Sequence, residues 1–399
     1  MKKFKWRYLL VLPVVFFAFV FVSRALSDAR FKSGPIGQLK QAAGDVHYAK
    51  LVPAGERLEG GLYDPSAAYT PDGRVGWLAY SSVKGDHKPI GPYVHTHLAR
   101  TTNGGARWEF VKVLNTSADA TLTTDEGKQL SGAWRYEVPT LVFDSTDPDM
   151  TRRWKLFVHR YFWNAKHDRM VKFGWIALRT AADPAGEWSE EVPLFGAGNS
   201  PAAPWNKTRV DLNTLDLSLK NAAAYSEPGA LTNDGRLYLS MSALLPRLGL
   251  TGISVGHTII LLASDDHGAT WRFVRKLLDD TDASRLGCEL FDGTSLAYED
   301  GRFFLLASPG HRGAMHDGTA AFEFESLAEG RLRLGTNGLP AVAAYFAPQP
   351  GIFSGPGAGQ ATYDSRNTNG GLIMPQFNLR AYPEVFQIYQ TGRRIVPKE

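Results

Sequence analysis

The stretch Ser264-Asp265-Asp266-His267-Gly268-Ala269-Thr270-Trp271 decides the fold, because its spacing defines a tight turn between two strand-like runs. Asp266 can accept backbone N–H groups inside such a turn, and Gly268 can adopt the positive φ that the turn requires. Trp271 then folds back as a large apolar side chain. A weaker copy of the pattern occupies residues 101–108 and also precedes a strand-like run. The two copies predict a β-sheet protein rich in hairpins.

The form Ser-x-Asp-x-Gly-x-Thr-Trp resembles the Asp-box of β-propeller proteins such as sialidases. In those proteins the motif lies on the outer turn of a blade, away from the active-site face. The resemblance therefore implies a propeller fold, and it assigns no chemistry to residues 264–271.

The composition excludes several classes of protein. The chain has 399 residues with 40 glycines and 10 tryptophans, which suits an all-β protein with many turns. Its net charge is +4, and Lys and Arg are scattered, so we expect no nucleic-acid partner. Cys288 is the single cysteine, so no disulfide can form within the chain, and we expect it to pack as a small apolar residue.

The amino terminus has the pattern of an export signal. Lys2, Lys3, Lys5 and Arg7 precede the apolar run 9–22. We therefore predict a signal peptide or membrane anchor over residues 1–25, a polar tether over 26–45 and a single propeller domain over 46–399. Both alternatives export the domain to the periplasm or the cell exterior. An uncleaved leader would anchor it to the inner membrane through residues 6–25.

Internal repeats indicate the architecture. Asp-Gly-Arg turns at residues 72–74, 234–236 and 300–302 each separate two apolar runs, which is a strong hairpin signal. Two further units fit more loosely and bring the total to five. Residues 46–53 could supply the outer strand that closes the ring. We predict an all-β, five-bladed β-propeller after an N-terminal hydrophobic segment, with a six-bladed sialidase-like fold as the alternative.

A carboxylate with an aromatic residue shortly before it begins the inner strand of four units. The four carboxylates are Asp64, Glu137, Glu227 and Asp292. The innermost strands of a propeller line its axis, so we expect the four side chains to converge at one mouth. Like charges in such a site push their pKa values apart, which yields one acid and one base. Two carboxyl groups across a scissile bond are what glycoside hydrolysis requires.

This arrangement resembles the five-bladed propeller glycoside hydrolases, including arabinanases, β-xylosidases and fructan hydrolases. The resemblance implies that Asp64 is the general base or the nucleophile and that Glu227 is the general acid. It implies an auxiliary role for Glu137, which orients the substrate and tunes the acid. Those enzymes usually have Asp at that place, so Asp292 competes for the same role.

Other polar and aromatic residues near the same strand ends are predicted to bind the carbohydrate substrate. With Asp292, they are Trp134, Arg135, His159, Arg160, Trp163, His311 and Arg312. The pattern names no set of metal ligands and no required cofactor. A Ca²⁺ ion at the hub, as in related propellers, remains an option.

Two alternatives to a glycoside hydrolase with paired carboxylates remain open. A sialidase would need a Tyr–Glu pair and three arginines, for which Arg135, Arg160, Arg312 and Arg366 are available. A non-catalytic propeller would bind glycans or proteins, since fold does not dictate function.

Overall fold

The computed structural model describes most of the chain, and the account below is confined to that part. It covers residues 25–84, 93–124, 126–164, 168–196, 208–249, 252–311, 316–349, 359–364, 366 and 371–396. The predicted leader falls almost wholly outside these ranges. Within them, no helix is both long and apolar enough to cross a membrane.

Strands dominate the described residues. Besides the helical residues 25–33, there are three short α-helices: α1 (Pro35–Ala43), α2 (Leu212–Leu215) and α3 (Asp280–Arg285). Three single-turn 3₁₀ helices lie at Met150–Arg152, Leu217–Leu219 and Leu379–Ala381. The strands are β1 (Ala49–Leu51), β2 (Gly61–Tyr69), β3 (Gly76–Lys84), β4 (Tyr93–Thr101), β5 (Glu109–Asn115), β6 (Ala118–Thr123), β7 (Gln129–Phe143), β8 (Trp154–Asn164), β9 (Asp168–Ala181), β10 (Val192–Gly196), β11 (Val210–Asp211), β12 (Ala224–Asn233), β13 (Arg236–Gly249), β14 (Gly252–Ser264), β15 (Arg272–Asp279), β16 (Leu290–Glu299), β17 (Arg302–Gly310), β18 (Thr319–Ser326), β19 (Arg331–Leu332), β20 (Val342–Phe346), β21 (Thr362–Asp364), β22 (Gly371–Phe377) and β23 (Phe386–Gln390).

The strands pair into four sheets. Two of them follow chain order, β6 to β11 and β12 to β15. The third runs from β16 to β19, and β20 pairs with β18. The largest sheet joins two four-stranded parts, β2-β3-β4-β5 and β21-β22-β23-β1, through one parallel pair between Gly61 and Phe386. β1 lies antiparallel to β23, with Leu51 opposite Ile388. The expected outer strand within residues 46–53 is confirmed, and it ties the two ends of the described domain together.

The inner strands β2, β7, β12, β16 and β21 lie side by side in that order, and β21 contacts β2 again. Short polar contacts join neighbours: Leu141 N donates to Ser66 Oγ at 2.9 Å, and Ala67 N donates to Thr362 Oγ1 at 3.2 Å. A cavity of about 350 Å³ lies among these strands, lined on one side by Ser66 and Thr140 and on another by Ser295.

Two of the three Asp-Gly-Arg turns are two-residue hairpins. Asp234 and Gly235 have φ of 49° and 75°, and Asp300 and Gly301 have 48° and 80°, as a type I′ turn requires. The turn at residues 72–74 is wider, because strand pairing stops at Tyr69 and Gly76.

The turn at residues 264–271 has the hydrogen bonds that its sequence predicts. Asp266 Oδ1 accepts the Thr270 N–H at 2.7 Å, and Gly268 has a φ of 92°. Trp271 is 7% exposed and packs edge-on against Phe195 of the neighbouring sheet, with ring centroids 5.2 Å apart. The tryptophan therefore joins two sheets, and the likeness to the sialidase motif stays a resemblance.

The segment that we expected to be a tether is folded onto the domain. Residues 25–33 are helical, and α1 follows directly. Phe31 and Ile36 are buried in the apolar core beside α3, together with Cys288. The polar composition of residues 26–45 gives no sign of this docking, because only two large apolar side chains of the segment are buried in the core.

Candidate active site

Four inner strands contain a β-bulge at equivalent places. The ladder shifts fall between Tyr63 and Ser66, Glu137 and Thr140, Ser226 and Gly229, and Asp292 and Ser295. The first bulged residue has a positive φ in every case: Asp64 (48°), Val138 (54°), Glu227 (55°) and Gly293 (60°). In the first three strands a proline follows, and it needs no ladder partner for its nitrogen.

The bulges correct the register that we predicted. Asp64 and Glu227 occupy the first bulged position, whereas Glu137 and Asp292 come one residue earlier. The four carboxylates therefore occupy two different positions relative to the bulge, one shared by Asp64 and Glu227 and the other by Glu137 and Asp292. Aligning the first three strands on their prolines shows the offset of Glu137, because Asp-Pro and Glu-Pro differ from Glu-Val-Pro by one residue, but the strand of Asp292 has no such proline.

Asp64 is buried where three strands meet. Its Oδ1 accepts the Gln360 N–H at 2.8 Å, and Ser81 Oγ donates to its Oδ2 at 3.3 Å. Ser81 Oγ also accepts the Val138 N–H at 3.1 Å. A Cβ on Gly359 would lie 1.7 Å from Asp64 Oδ1, so only glycine leaves room for this carboxylate. Both donors suit an ionised carboxylate held in one orientation.

Glu137 lies in the same buried cluster. Arg135 Nη2 is 2.8 Å from its Oε1, and Tyr63 OH donates to Oε1 at 2.7 Å. Burial, and next the Glu137 charge, raise the pKa of Tyr63 well above its usual value, and the Asp64 charge acts in the same direction. The Tyr63 hydroxyl therefore stays protonated and serves as a donor. The Tyr63 ring stacks on Phe386, and Tyr63 is only 3% exposed. It is therefore a poor candidate for the tyrosine nucleophile that a sialidase would need.

Glu227 is partly exposed, and its backbone connects to the same network. Thr294 Oγ1 donates to the Glu227 carbonyl at 3.3 Å, and Thr140 Oγ1 donates to the carbonyl of Pro228. Gln360 Nε2 donates to Thr140 Oγ1 at 3.3 Å. Gln360 thus links the strand of Glu227 to the carboxylate of Asp64. Asp292, also partly exposed, accepts a hydrogen bond from the Ser242 hydroxyl.

Three of the predicted binding residues share a face with Glu137. On β7 and β8, Glu137 lies opposite His159, Arg135 opposite Tyr161, and Ala133 opposite Trp163. Cross-strand partners point to the same side of a sheet. His159, Arg135 and Trp163 therefore form one stripe with the carboxylate.

Trp134 and Arg160 point to the other face of that sheet, because side chains alternate along a strand. The Arg160 guanidinium lies 4.9 Å from the Trp134 ring and 5.0 Å from the Trp175 ring, and it pairs with Glu191 at 2.8 Å. We had expected both residues to bind substrate beside the carboxylates. The structure instead assigns them to packing within this sheet.

His311 contacts the amino-terminal segment. Its ring stacks on Phe31 at 4.2 Å, and its nitrogens lie 3.0 Å from Asp317 and 3.3 Å from Asp28. Burial opposes ionisation of Asp317, but His311 and Lys40 outweigh it and lower the pKa of that carboxyl. His311 thus has a docking role that the sequence pattern did not indicate. Arg312, predicted beside it, lies outside the described residues.

The three arginines that a sialidase needs do not converge among the described residues. Arg135 pairs with Glu137, whereas Arg160 lies on the opposite face of its sheet. Arg366 lies beside Gly73, in the turn after β2.

One group of side chains in the described part of the chain has ligand atoms close enough to hold a metal ion: Asp144, Asp147 and His267. Lys155 already lies among them, with its Nζ 2.7 Å from Asp147 and 3.6 Å from Asp144. His267 Nδ1 is 2.9 Å from Asp144. The buried ammonium supplies the positive charge that a cation would bring, so we interpret this group as an ion-pair cluster.

No family model matches the chain, and no curated protein matches it. It is similar in structure to a thermostable family-43 glycoside hydrolase, with a TM-score of 0.48 and 12% identity over 88% of this chain and 98% of the other. A family 117 glycoside hydrolase from the marine bacterium Zobellia galactanivorans has a TM-score of 0.48 and 13% identity over 88% and 92%. The GH62 α-L-arabinofuranosidase catalytic domain of Coprinopsis cinerea gives 0.46 and 12% over 87% and 98%. These are glycoside hydrolases, the class that the sequence resembles, but TM-scores below 0.5 assign no activity to this chain.

Proposed function

We propose that this protein is a glycoside hydrolase that cleaves a glycan by paired-carboxylate catalysis on a five-bladed β-propeller. One observation carries the proposal. Asp64 and Glu227 have positive φ in equivalent bulges of two inner strands, and each is followed by proline. Non-glycine residues adopt this conformation at a cost of about 1–2 kcal/mol. Such strain is concentrated at functional sites, where a bulge re-aims a side chain.

The two carboxylates differ in environment, as an acid–base pair requires. Asp64 is buried and accepts hydrogen bonds from the Gln360 N–H and the Ser81 hydroxyl, which favours its action as the nucleophile or as the base that activates water. Glu227 is partly exposed, so it can reach a leaving-group oxygen and donate a proton to it. The C–O bond then breaks, and water completes hydrolysis at the sugar carbon.

Glu137 serves as a positioning residue in this scheme. Its charge is held by Arg135 at 2.8 Å and by the Tyr63 hydroxyl at 2.7 Å, which fixes the carboxylate beside Asp64. We assign it to orienting the substrate and to the electrostatic field at the site, as the family resemblance implies.

The five-bladed form is supported by the order of the inner strands. β2, β12, β16 and β21 each begin an antiparallel run of strands, and β7 follows the short strand β6 in its sheet. The mutual contacts of these five strands return from the fifth to the first. We also propose that the domain is exported, because Lys2, Lys3, Lys5 and Arg7 precede the apolar run 9–22.

The test is hydrolysis of a panel of aryl glycosides and of arabinan, galactan, fructan and xyloglucan by the wild type and by Glu227→Gln. Gln keeps the shape and removes the proton donor, so kcat should fall by about 10²–10⁴-fold while the melting temperature is unchanged. Glu191→Gln is the matched control, since Glu191 pairs with Arg160 on the face away from Glu137.

Near-normal turnover by Glu227→Gln would remove Glu227 from the mechanism. A wild type that binds a polysaccharide from the panel without cleaving any substrate would favour the non-catalytic binding propeller instead.

A further inference from the structure

We propose that a groove beside Trp163 binds the part of the glycan away from the scissile bond, and that the substrate is a neutral oligosaccharide or polysaccharide. This inference rests on the proposed function and narrows its substrate class. The groove has a volume of about 690 Å³ and is lined by Asp119, Ala120, Thr121, Ser131, Gly132, Ala133 and Trp163.

The groove continues the stripe that begins at Glu137. Along β8 the side chains on this face are His159, Tyr161 and Trp163. The first two are about 2% and 1% exposed, whereas Trp163 is partly exposed at the outer end. Trp163 lies opposite Ala133, four residues along β7 from Glu137. Four residues of strand span roughly 13 Å, which is longer than one sugar ring.

The lining has the chemistry of a sugar site. Trp163 offers an aromatic face for the apolar side of a sugar, and the exposed hydroxyl groups of Thr121 and Ser131 can bond its hydroxyls. The Asp119 carboxylate is held by the Tyr93 hydroxyl at 2.7 Å, which fixes an acceptor at the groove edge.

The charge of the groove selects a neutral ligand. Its described lining contains one carboxylate, Asp119, and no cationic side chain. An acidic glycan would therefore meet a like charge. Gly132 lets β7 and β8 approach closely beside the groove: a Cβ there would lie 2.1 Å from the Trp163 carbonyl oxygen, so a larger residue would displace this strand.

The experiment compares Trp163→Ala with the wild type on the polysaccharide that the panel shows to be cleaved fastest, on its oligosaccharides of increasing length and on the matching aryl monoglycoside. We expect kcat/KM on the longest chains to fall by about tenfold more than kcat/KM on the monoglycoside. Tyr298→Ala is the matched control, because Tyr298 is a 49% exposed aromatic residue at the far end of β16 from Asp292.

Affinity electrophoresis gives a second readout that needs no hydrolysis. Arabinan, galactan, fructan or xyloglucan in the gel should retard the wild type and Tyr298→Ala more than Trp163→Ala, and polygalacturonate should retard none of them. Retardation without cleavage would contradict the proposed function but support glycan binding at the groove. Equal losses of kcat/KM on short and long chains, or a wild type that no polysaccharide retards, would contradict glycan binding at the groove.

Discussion

Two acidic clusters lie at opposite ends of the inner strands. Both contain acidic residues, and they differ in the groups that surround their carboxylates. One contains Asp64 and Glu137 at the bulges. The other contains Asp144 and Asp147 beyond the far end of β7, with Lys155 between them, and we call it the Lys155 cluster. All four carboxylates are buried, so burial alone does not distinguish a catalytic acid from a structural one.

The carboxylates of the Lys155 cluster have the hydrogen bonds and ion pairs of ordinary turn residues. Asp144 accepts the Thr146 N–H, and Asp147 accepts the Asp149 N–H, as carboxylates do in turns. Burial opposes ionisation of Asp144, yet hydrogen bonds from Thr146 and His267, together with the Lys155 charge, lower the pKa of its carboxyl. These carboxylates stabilise a turn and are neutralised by cations.

The bulge end differs in its backbone. Asp64 has a φ of 48°, and the hydroxyl and amide groups that it contacts come from another strand and another unit. The hairpin turns at Asp234 and Asp300 have the same positive φ, but Asp64 adopts it inside a strand bulge. The comparison teaches that a positive φ within a bulge, together with contacts from other strands and units, distinguishes Asp64 from the carboxylates of the Lys155 cluster.

The largest stability effect should come from Lys155→Met, which keeps the side-chain volume and removes the charge. Two buried carboxylates would lose their ammonium partner, so the free energy of unfolding should fall by about 3–5 kcal/mol. Chemical denaturation measures this change. Lys50→Met is the control, because the Lys50–Glu384 pair is exposed and should contribute about 0–1 kcal/mol. A loss below about 1 kcal/mol for Lys155→Met would mean that the cluster is not a structural ion pair.

A smaller effect should follow from Asp266→Ala, in the turn whose His267 contacts Asp144. The turn loses hydrogen bonds to Thr270, so the free energy of unfolding should fall by about 1 kcal/mol. Burial opposes ionisation of Asp266, but bonds from Thr270 and Ser264 lower its pKa from 3.8 to about 2.

The lowered pKa sets the pH dependence of that effect. The folded pKa lies below the unfolded one, so the contribution of Asp266 is complete above pH 3.8 and is lost as the pH falls through about 2. The difference in unfolding free energy between wild type and Asp266→Ala should therefore shrink over this range. A difference that is constant down to pH 2 would mean that the Asp266 charge does not hold the turn.

Much of the fold could be predicted from local sequence. Asp-Gly pairs require positive φ at two successive residues, so the hairpins at Asp234 and Asp300 were predictable. The docking of Phe31 and Ile36 was not, because two apolar side chains in a polar segment give no periodic signal.

The candidate site could be predicted only in part. Carboxylates at strand starts were recognisable, but the bulges shift Glu137 and Asp292 by one residue relative to Asp64. The prolines carry a signal for the shift of Glu137, whereas the strand of Asp292 carries none. Trp134 is three residues before Glu137 on one strand, so alternation along that strand was enough to predict its opposite face. The face of Arg160 depends on the register between β7 and β8, which the sequence does not fix.

The most direct test of the central claim compares Asp64→Asn with Asp144→Asn in one preparation. Asparagine tolerates positive φ, so Asp64→Asn should keep the wild-type melting temperature and lose at least about 10³-fold in kcat. Asp144→Asn should keep wild-type kcat and lose about 1–3 kcal/mol of unfolding free energy. The opposite pattern, or full activity in Asp64→Asn, would contradict the assignment of catalysis to the strained bulges.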